Sequence, residues 1–335
     1  MIDKVIGSPC GGERGHSNAP LDAGKRAEQN LSMPAKMSAW IEPALFRAFE
    51  AEQTDAHRLC TCPDGWVERF GPDALISYKS EAARERLTKE LYLWTLGAGF
   101  KFARIFGRFL PKQNAERVAP QLFLGDANTN LQSIAMERAL RYGIDFGAGY
   151  SVGLFVDQRE NRSFLRRVKP RRILNCFAYT CSFSVAAAGA VSVNVDLSKK
   201  SLTRGRENFA LNNLPTDGHC FIADDVLEVL PRLARKKEKF DAIILDPPTF
   251  SRSGSKAFQV ERDFEDLLIA ALEVADRDAK ILISTNCTSL NEKILEEMAR
   301  FCLKATRRAG SLHREPALAD FPPGVAARAI WLTLR

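Results

Sequence analysis

A chain of 335 residues with 45% hydrophobic content can bury a sizeable core in one large domain or two ordinary ones, which excludes a disordered chain or a small disulfide scaffold. Its 48 basic and 41 acidic side chains leave a formal charge of +7, an excess that suits a polyanionic partner as well as it suits a solvated basic surface. Eight cysteines without a framework of spacings, a lone Cys60-x-Cys62 pair and four histidines predict a reducing compartment and no metal, and the lack of a long apolar run predicts no membrane span and a cytoplasmic protein.

Residues 1–38 are rich in Gly, Ser, Asn, Pro and charge and lack periodicity, so they are expected to form a disordered leader with no catalytic part. Residues 39–155 are expected to form a small α+β domain in which RNA contact is open. Here "WVERF" and "ALISY" read as strands around Gly71, Pro72 and Asp73, and "SEAARERLTKELYLWTL" reads as a helix with a Ser cap. "FKFARIFGRFL", "QLFL" and "MERALRYGIDFGAGYSVGLFV" read as further strands with a Gly-rich hairpin. Lys101, Arg104, Arg108 and Lys112 alternate with phenylalanines, a pattern that grips nucleic acid but that a half-buried strand with a charged face shows more often. "RSFLRRVKPRR", Arg162 to Arg172, adds a cluster of cations that would meet phosphates or simply line a solvated helix face.

From residue 156 to 335, short apolar runs alternate with helical patterns. "RRILNCF", "VSVNVD", "HCFIAD", "DAIILD", "KILIST" and "AIWLTL" are strands, and "KKSLTRGRENFALNN" and "VERDFEDLLIAALEVA" are helices between them. The fold class is α/β, a doubly wound and mainly parallel sheet, whose ligands lie beyond the carboxyl ends of the strands where strand order reverses. Beyond the first strand a tight turn runs through Tyr179, Thr180, Cys181, Ser182 and Phe183 and would aim N–H groups at an anionic group. Asp196 ends the second strand, about twenty residues on, where a carboxylate accepts the hydroxyls of a ribose. Asp224 ends the third and would receive an adenine amino group or cap the following helix. An adenosine-bearing cofactor is implied. No G-x-G-x-x-G run follows the first strand, which argues against a nicotinamide dinucleotide.

The segment "DAIILDPPTF", Asp241 to Phe250, ends a strand on Asp246. Pro247 and Pro248 then remove two N–H donors and stiffen an extended loop, and Phe250 supplies a stacking ring. An acid, a rigid acceptor loop and an aromatic face describe a pocket for a planar heterocycle, although a Pro-Pro turn that merely ends a strand would look the same.

The runs "GYSVGLFVDQRENR", "LNCFAYTCSFSVAAA", "VNVDLSKKSLTRGRENFALNNL", "FIADDVLEVL" and "FDAIILDPPTF", in that order, closely resemble the S-adenosylmethionine-dependent methyltransferases of large-subunit ribosomal RNA, the RlmI-like cytosine-5 enzymes and their RlmK-like guanine-N7 relatives. The resemblance extends from about Arg58 to Arg335. It implies a class I methyltransferase (Rossmann-like) fold, S-adenosylmethionine held by Tyr179, Thr180, Ser182, Phe183, Asp196, Asp224 and Asp246, and a ribosomal RNA base, 23S in kind, held by Pro247, Pro248, Phe250 and Arg159. RlmI-like proteins usually carry an N-terminal PUA domain, where this sequence has the leader. Their turn usually has glycine where Cys181 stands, and a side chain there costs on the order of 1 kcal/mol if the backbone angle φ is positive.

Cys287 follows "KILIST" and matches the RlmI-like cysteine. Carbon 5 of cytosine is a poor nucleophile until a thiolate adds to carbon 6, so Cys287 with Asp246 would form the catalytic pair. "DPPTFS" looks instead RlmK-like, and methylation of a ring nitrogen or exocyclic amine needs no adduct. A third expectation is an inactive RNA-binding protein in ribosome assembly, suggested by Cys181 and the missing PUA domain and opposed by Asp196, Asp224 and the Asp-Pro-Pro segment.

Overall fold

The computed structural model describes residues 38–111, 116–253 and 256–335. The leader apart from Ser38, and Lys112, lie outside the described residues.

The chain first builds β1 (Ala39–Trp40), α1 (Pro43–Ala51), β2 (Ala56–Cys62), β3 (Gly65–Phe70), β4 (Asp73–Tyr78), α2 (Glu81–Ala98), β5 (Arg104–Phe109) and β6 (Gln121–Leu124). These strands form one sheet in sequence order, antiparallel except for β4 and β5, which α2 connects. Ser80 caps α2 by accepting the Ala83 N–H at 3.2 Å, and Gly99 ends it in the left-handed region. The basic residues of β5 serve the interior. Arg104 pairs with Asp73 at 2.6 Å, and Arg108 bonds Ser77 and Glu68. β7 (Gln132–Glu137) and β8 (Leu140–Asp145) follow as a separate hairpin. Its turn is Arg138–Ala139, with φ of 47° and 67°, whereas the sequence suggests a Gly-rich hairpin. A two-residue turn of this hand needs two positive φ values. Arg138 supplies one without glycine because its N–H bonds Thr54 and its guanidinium bonds Glu160.

A single 3-10 turn, Val156–Gln158, leads into α3 (Arg159–Val168), and the second sheet begins. It comprises β9 (Arg172–Cys176), α4 (Ser182–Ala186), β10 (Val191–Asp196), α5 (Lys199–Leu211), β11 (Cys220–Ala223), α6 (Val226–Arg235) and β12 (Phe240–Leu245). A short hairpin, β13 (Phe250–Ser253) and β14 (Lys256–Gln259), precedes α7 (Val260–Val274), β15 (Ala275–Thr285), α8 (Glu292–Ala305), β16 (Gly310–His313) and β17 (Arg328–Leu334). Strand order is β11-β10-β9-β12-β15-β17-β16, parallel through β15, with β17 antiparallel to β15 and to β16. All six strands expected in this half are present. β16 and the β13–β14 hairpin are additions that its short polar sequence hid. The sheet is buried on both sides, by α6, α7 and α8 against one apolar cluster and by Leu165, Phe183 and Trp331 against another. Burial of these apolar faces is the main force holding the layers.

Candidate active site

Strand order reverses between β9 and β12, so the loops leaving these two strands face a common crevice. In the β9 loop, Phe177, Tyr179 and Cys181 alternate in the left-handed region with φ of 55°, 47° and 58°. The cost expected of a side chain at 181 is therefore incurred. Asp196 pins this loop: one carboxylate oxygen accepts the Tyr179 N–H and the other the Ser198 N–H, each at 2.8 Å. Each oxygen keeps a second lone pair, so Asp196 retains two acceptor positions for ribose hydroxyls. Burial raises its pKa, and the two backbone bonds oppose that shift.

The side chains of this loop are mostly spent on the fold. The Tyr179 hydroxyl donates to the Ser151 carbonyl at 2.8 Å and Thr180 to the Gly153 carbonyl at 2.6 Å. Phe183 is buried beside Arg162, and Ser182 opens α4. The buried Cys181 thiol, its pKa raised by burial, packs on α5 where a Cβ at Gly205 would overlap it. Asp224 pairs with Arg232 and accepts the Asp225 N–H at 2.8 Å, both of which lower its pKa. The helix cap is Asp225, which accepts the Leu227 N–H, so Asp224 is not the capping residue. Spare acceptors on Asp196 and Asp224 fit the hydroxyl and amino donors of an adenosyl cofactor.

On the β12 side, Pro247 is buried, Pro248 is exposed and the Phe250 ring is 51% exposed at the start of β13. Burial pushes the Asp246 carboxyl up to about 6, and the neighbouring Asp157 carboxylate acts in the same direction. Hydrogen bonds from Ser284 and Gln158 and the charge of Arg162 oppose them. The Gln158 amide N–H donates to Asp246 Oδ2 at 3.1 Å and to Ser284 Oγ at 2.7 Å. Gln158, Asp157 and Ser284 were not singled out from sequence, although the "VDQR" run that holds the first two is among the motifs that carry the resemblance.

Cys287 lies beyond β15, the strand that pairs with β12, and is buried. Its sulfur is 3.0 Å from Ser289 Oγ and 3.6 Å from Glu261 Oε1, and Ser289 in turn bonds Glu261. These contacts turn the thiol toward α7, while Asp246 faces Gln158 and Ser284. Arg159, expected at the substrate, is elsewhere: it is buried, forms a two-pronged ion pair with Asp320 and lies over the Phe49 ring at 4.7 Å. Its charge is needed inside because an unpaired buried Asp320 would be costly. The cations near α3 are similarly engaged. Arg162 pairs with Glu137, Arg167 with Glu315 and Arg172 with Glu238.

A family model described as S-adenosylmethionine-dependent methyltransferase matches residues 80–332. Ribosomal RNA large subunit methyltransferase I of Tolumonas auensis is 33% identical over 214 residues, 62% of this chain and 53% of that protein. The same-named protein of Klebsiella pneumoniae is 27% identical over 321 residues, 89% of this chain and 77% of that one. The chain thus spans about half the length of several curated relatives it matches. Among solved structures, a provisionally assigned methyltransferase complexed with SAH aligns with a TM-score of 0.74 at 23% identity, over 87% of this chain and 78% of that one. That likeness is one of fold.

Proposed function

The chain belongs to the S-adenosylmethionine-dependent methyltransferase family, and from that premise we propose that it methylates large-subunit ribosomal RNA at carbon 5 of a cytosine. The substrate class is supported by the names of its relatives. One observation carries the chemistry: at the ends of the paired strands β12 and β15 stand a buried carboxyl able to hold a proton to about pH 6 and a cysteine bonded to a Ser289–Glu261 chain.

In this reading Asp196 and Asp224, with the amides of the 177–183 turn, hold S-adenosylmethionine, which supplies an electrophilic methyl group. Pro247, Pro248 and Phe250 hold the base, the ring by stacking. Ser289 and Glu261 take the Cys287 proton, and the thiolate forms a bond to carbon 6 while Asp246 donates a hydrogen bond at ring nitrogen 3. Carbon 5 is thereby made nucleophilic. Once methylated, with S-adenosylhomocysteine as the leaving group, carbon 5 gives up its proton to solvent. The electron pair of that C–H bond restores the ring double bond as the carbon–sulfur bond breaks and returns the thiolate, which recovers its proton from Glu261 through Ser289.

RNA carrying 5-fluorocytosine should trap a covalent protein adduct, because fluorine cannot leave as a proton does. Cys287→Ala should abolish the adduct and methylation and leave cofactor binding intact. A nitrogen-directed reaction, at guanine N7 or an exocyclic amine, is favoured by the turn of the thiol toward Glu261 and away from Asp246. Undiminished methylation by Cys287→Ala, with no trapped adduct, would establish that second reading. Mass spectrometry of ribosomal RNA nucleosides from cells with and without the gene names the product.

A further inference from the structure

Gln158 stands at the N-cap of α3 but its side chain makes no cap bond. It turns inward instead and donates to Asp246 Oδ2 and Ser284 Oγ. Its carbonyl Oε1 accepts from Asn161 Nδ2 at 2.8 Å, and Asn161 Oδ1 accepts from the Trp331 indole at 2.9 Å. Trp331 and Ser284 are fully buried, Gln158 is 2% exposed and Asn161 8%. Water therefore has little access to scramble the chain.

The direction of this chain is forced. An indole N–H donates and cannot accept, so Asn161 must turn its oxygen to Trp331 and its NH2 to Gln158. Gln158 must then turn its oxygen to Asn161 and its NH2 to Asp246. A flipped amide at either position would set donor against donor or an amide oxygen against a carboxylate. We propose that Trp331, through Asn161, orients Gln158 so that its N–H holds Asp246 Oδ2 and leaves Oδ1 to meet the RNA base, making the three positioning residues of the methyl-transfer site.

The inference rests on the assignment of Asp246 to the base. Because Oδ2 accepts from Gln158, a proton on the carboxyl resides on Oδ1, where it can be donated to a ring nitrogen. The charged groups acting on Asp246 are Asp157 from the adjoining turn and Arg162 from α3, the latter paired with Glu137 of β7. Neither belongs to the chain of amides, so changing the amides leaves these charges in place.

The test uses the full-length protein, labelled S-adenosylmethionine and RNA extracted from cells lacking the gene. Asn161→Leu, isosteric and uncharged, loses both the acceptor for Trp331 and the donor to Gln158, and Trp331→Phe loses the first donor. Each should lower kcat at least tenfold, with KM for RNA and the Kd of S-adenosylmethionine within about twofold of the parent. Each should also move the Asp246 midpoint in the kcat profile to higher pH, because a carboxylate deprived of a donor holds its proton longer. Asp246→Asn is the reference: if it retains full turnover, the assignment of Asp246 fails. If Asp246→Asn is impaired while either amide-chain variant keeps the parental kcat and midpoint, the proposal fails and the assignment stands. A parallel loss of cofactor affinity and kcat would also overturn it, as the sign of a structural role. Should Trp331→Phe not fold, the isosteric Asn161→Leu decides.

Discussion

Cys181 holds a left-handed φ of 58° that glycine adopts freely, and its sulfur occupies the room that a methyl group at Gly205 would need. The two positions are therefore coupled. Gly205→Ala improves helix propensity by about 1 kcal/mol, yet overpacking against the thiol costs about 1–3 kcal/mol, so a net loss is expected in urea unfolding. In a Cys181→Gly background the same change should become neutral or stabilising, a non-additivity that a double-mutant cycle measures. Asp246 gives a second expectation. Its carboxyl pKa is raised on folding from 3.8 to about 6, so the folded state binds the proton more tightly. The stability this contributes is present at low pH and is lost as pH rises from about 4 through about 6. Relative to the parent, Asp246→Asn should thus look more stable at pH 8 than at pH 4.5, and equal differences at both would show that the carboxyl titrates normally. At the cofactor, Asp196→Ala should weaken S-adenosylmethionine binding by about 1–3 kcal/mol in calorimetry. Asp196 and Asp246 were legible because each ends an apolar run of strand length. Gln158, Asn161 and Trp331 were not, since their part depends on hydrogen-bond polarity across 170 residues of chain, which no local spacing records.

Elements built on one clear period read correctly. The buried strands β9, β10, β12 and β15 and the Ser-capped α2 announce themselves by apolar runs and by a cap. The errors arise where a residue is held by partners distant in sequence. The turn of β7–β8 lies at Arg138–Ala139 without glycine because α3 and Thr54 restrain Arg138, and within α3 the sequence does not show that Arg162 pairs with Glu137 of β7 and Arg167 with Glu315. The β13–β14 hairpin opens with Phe250, about half of whose surface is exposed. If that ring stacks on the substrate base, Phe250→Ala should cost about 1–3 kcal/mol in kcat/KM for RNA, roughly fivefold or more. Its Tm and S-adenosylmethionine affinity should not change, because the ring contributes little to the core. Parental kcat/KM would remove Phe250 from the site.

On the scale of the molecule, the division expected near residue 155 falls between the two sheets, yet the described residues belong to one compact unit. Asp320 shows why. From the segment between β16 and β17 it accepts the Arg58 N–H of β2 at 2.8 Å and pairs with the guanidinium of Arg159, while Arg58 lies over Phe321 at 4.2 Å. Asp320→Ala would leave the buried Arg159 guanidinium with only its 3.8 Å contact to Glu160, at a cost of up to about 3–5 kcal/mol. Both sheets should lose stability together in one transition, and two separate transitions by tryptophan fluorescence and far-ultraviolet dichroism would contradict a shared lock. The same contact sets a schedule for biosynthesis. Arg58 and Asp320 are 262 positions apart, so at about 5–20 residues per second the ribosome needs roughly 13 to 50 s between them. Throughout that interval the Arg58 N–H of the nascent first sheet lacks its acceptor, and from the moment α3 is made Arg159 lacks the carboxylate of Asp320. A message truncated before codon 320 would therefore yield a polypeptide that cannot close its interior, and cellular proteases would meet it in that open form.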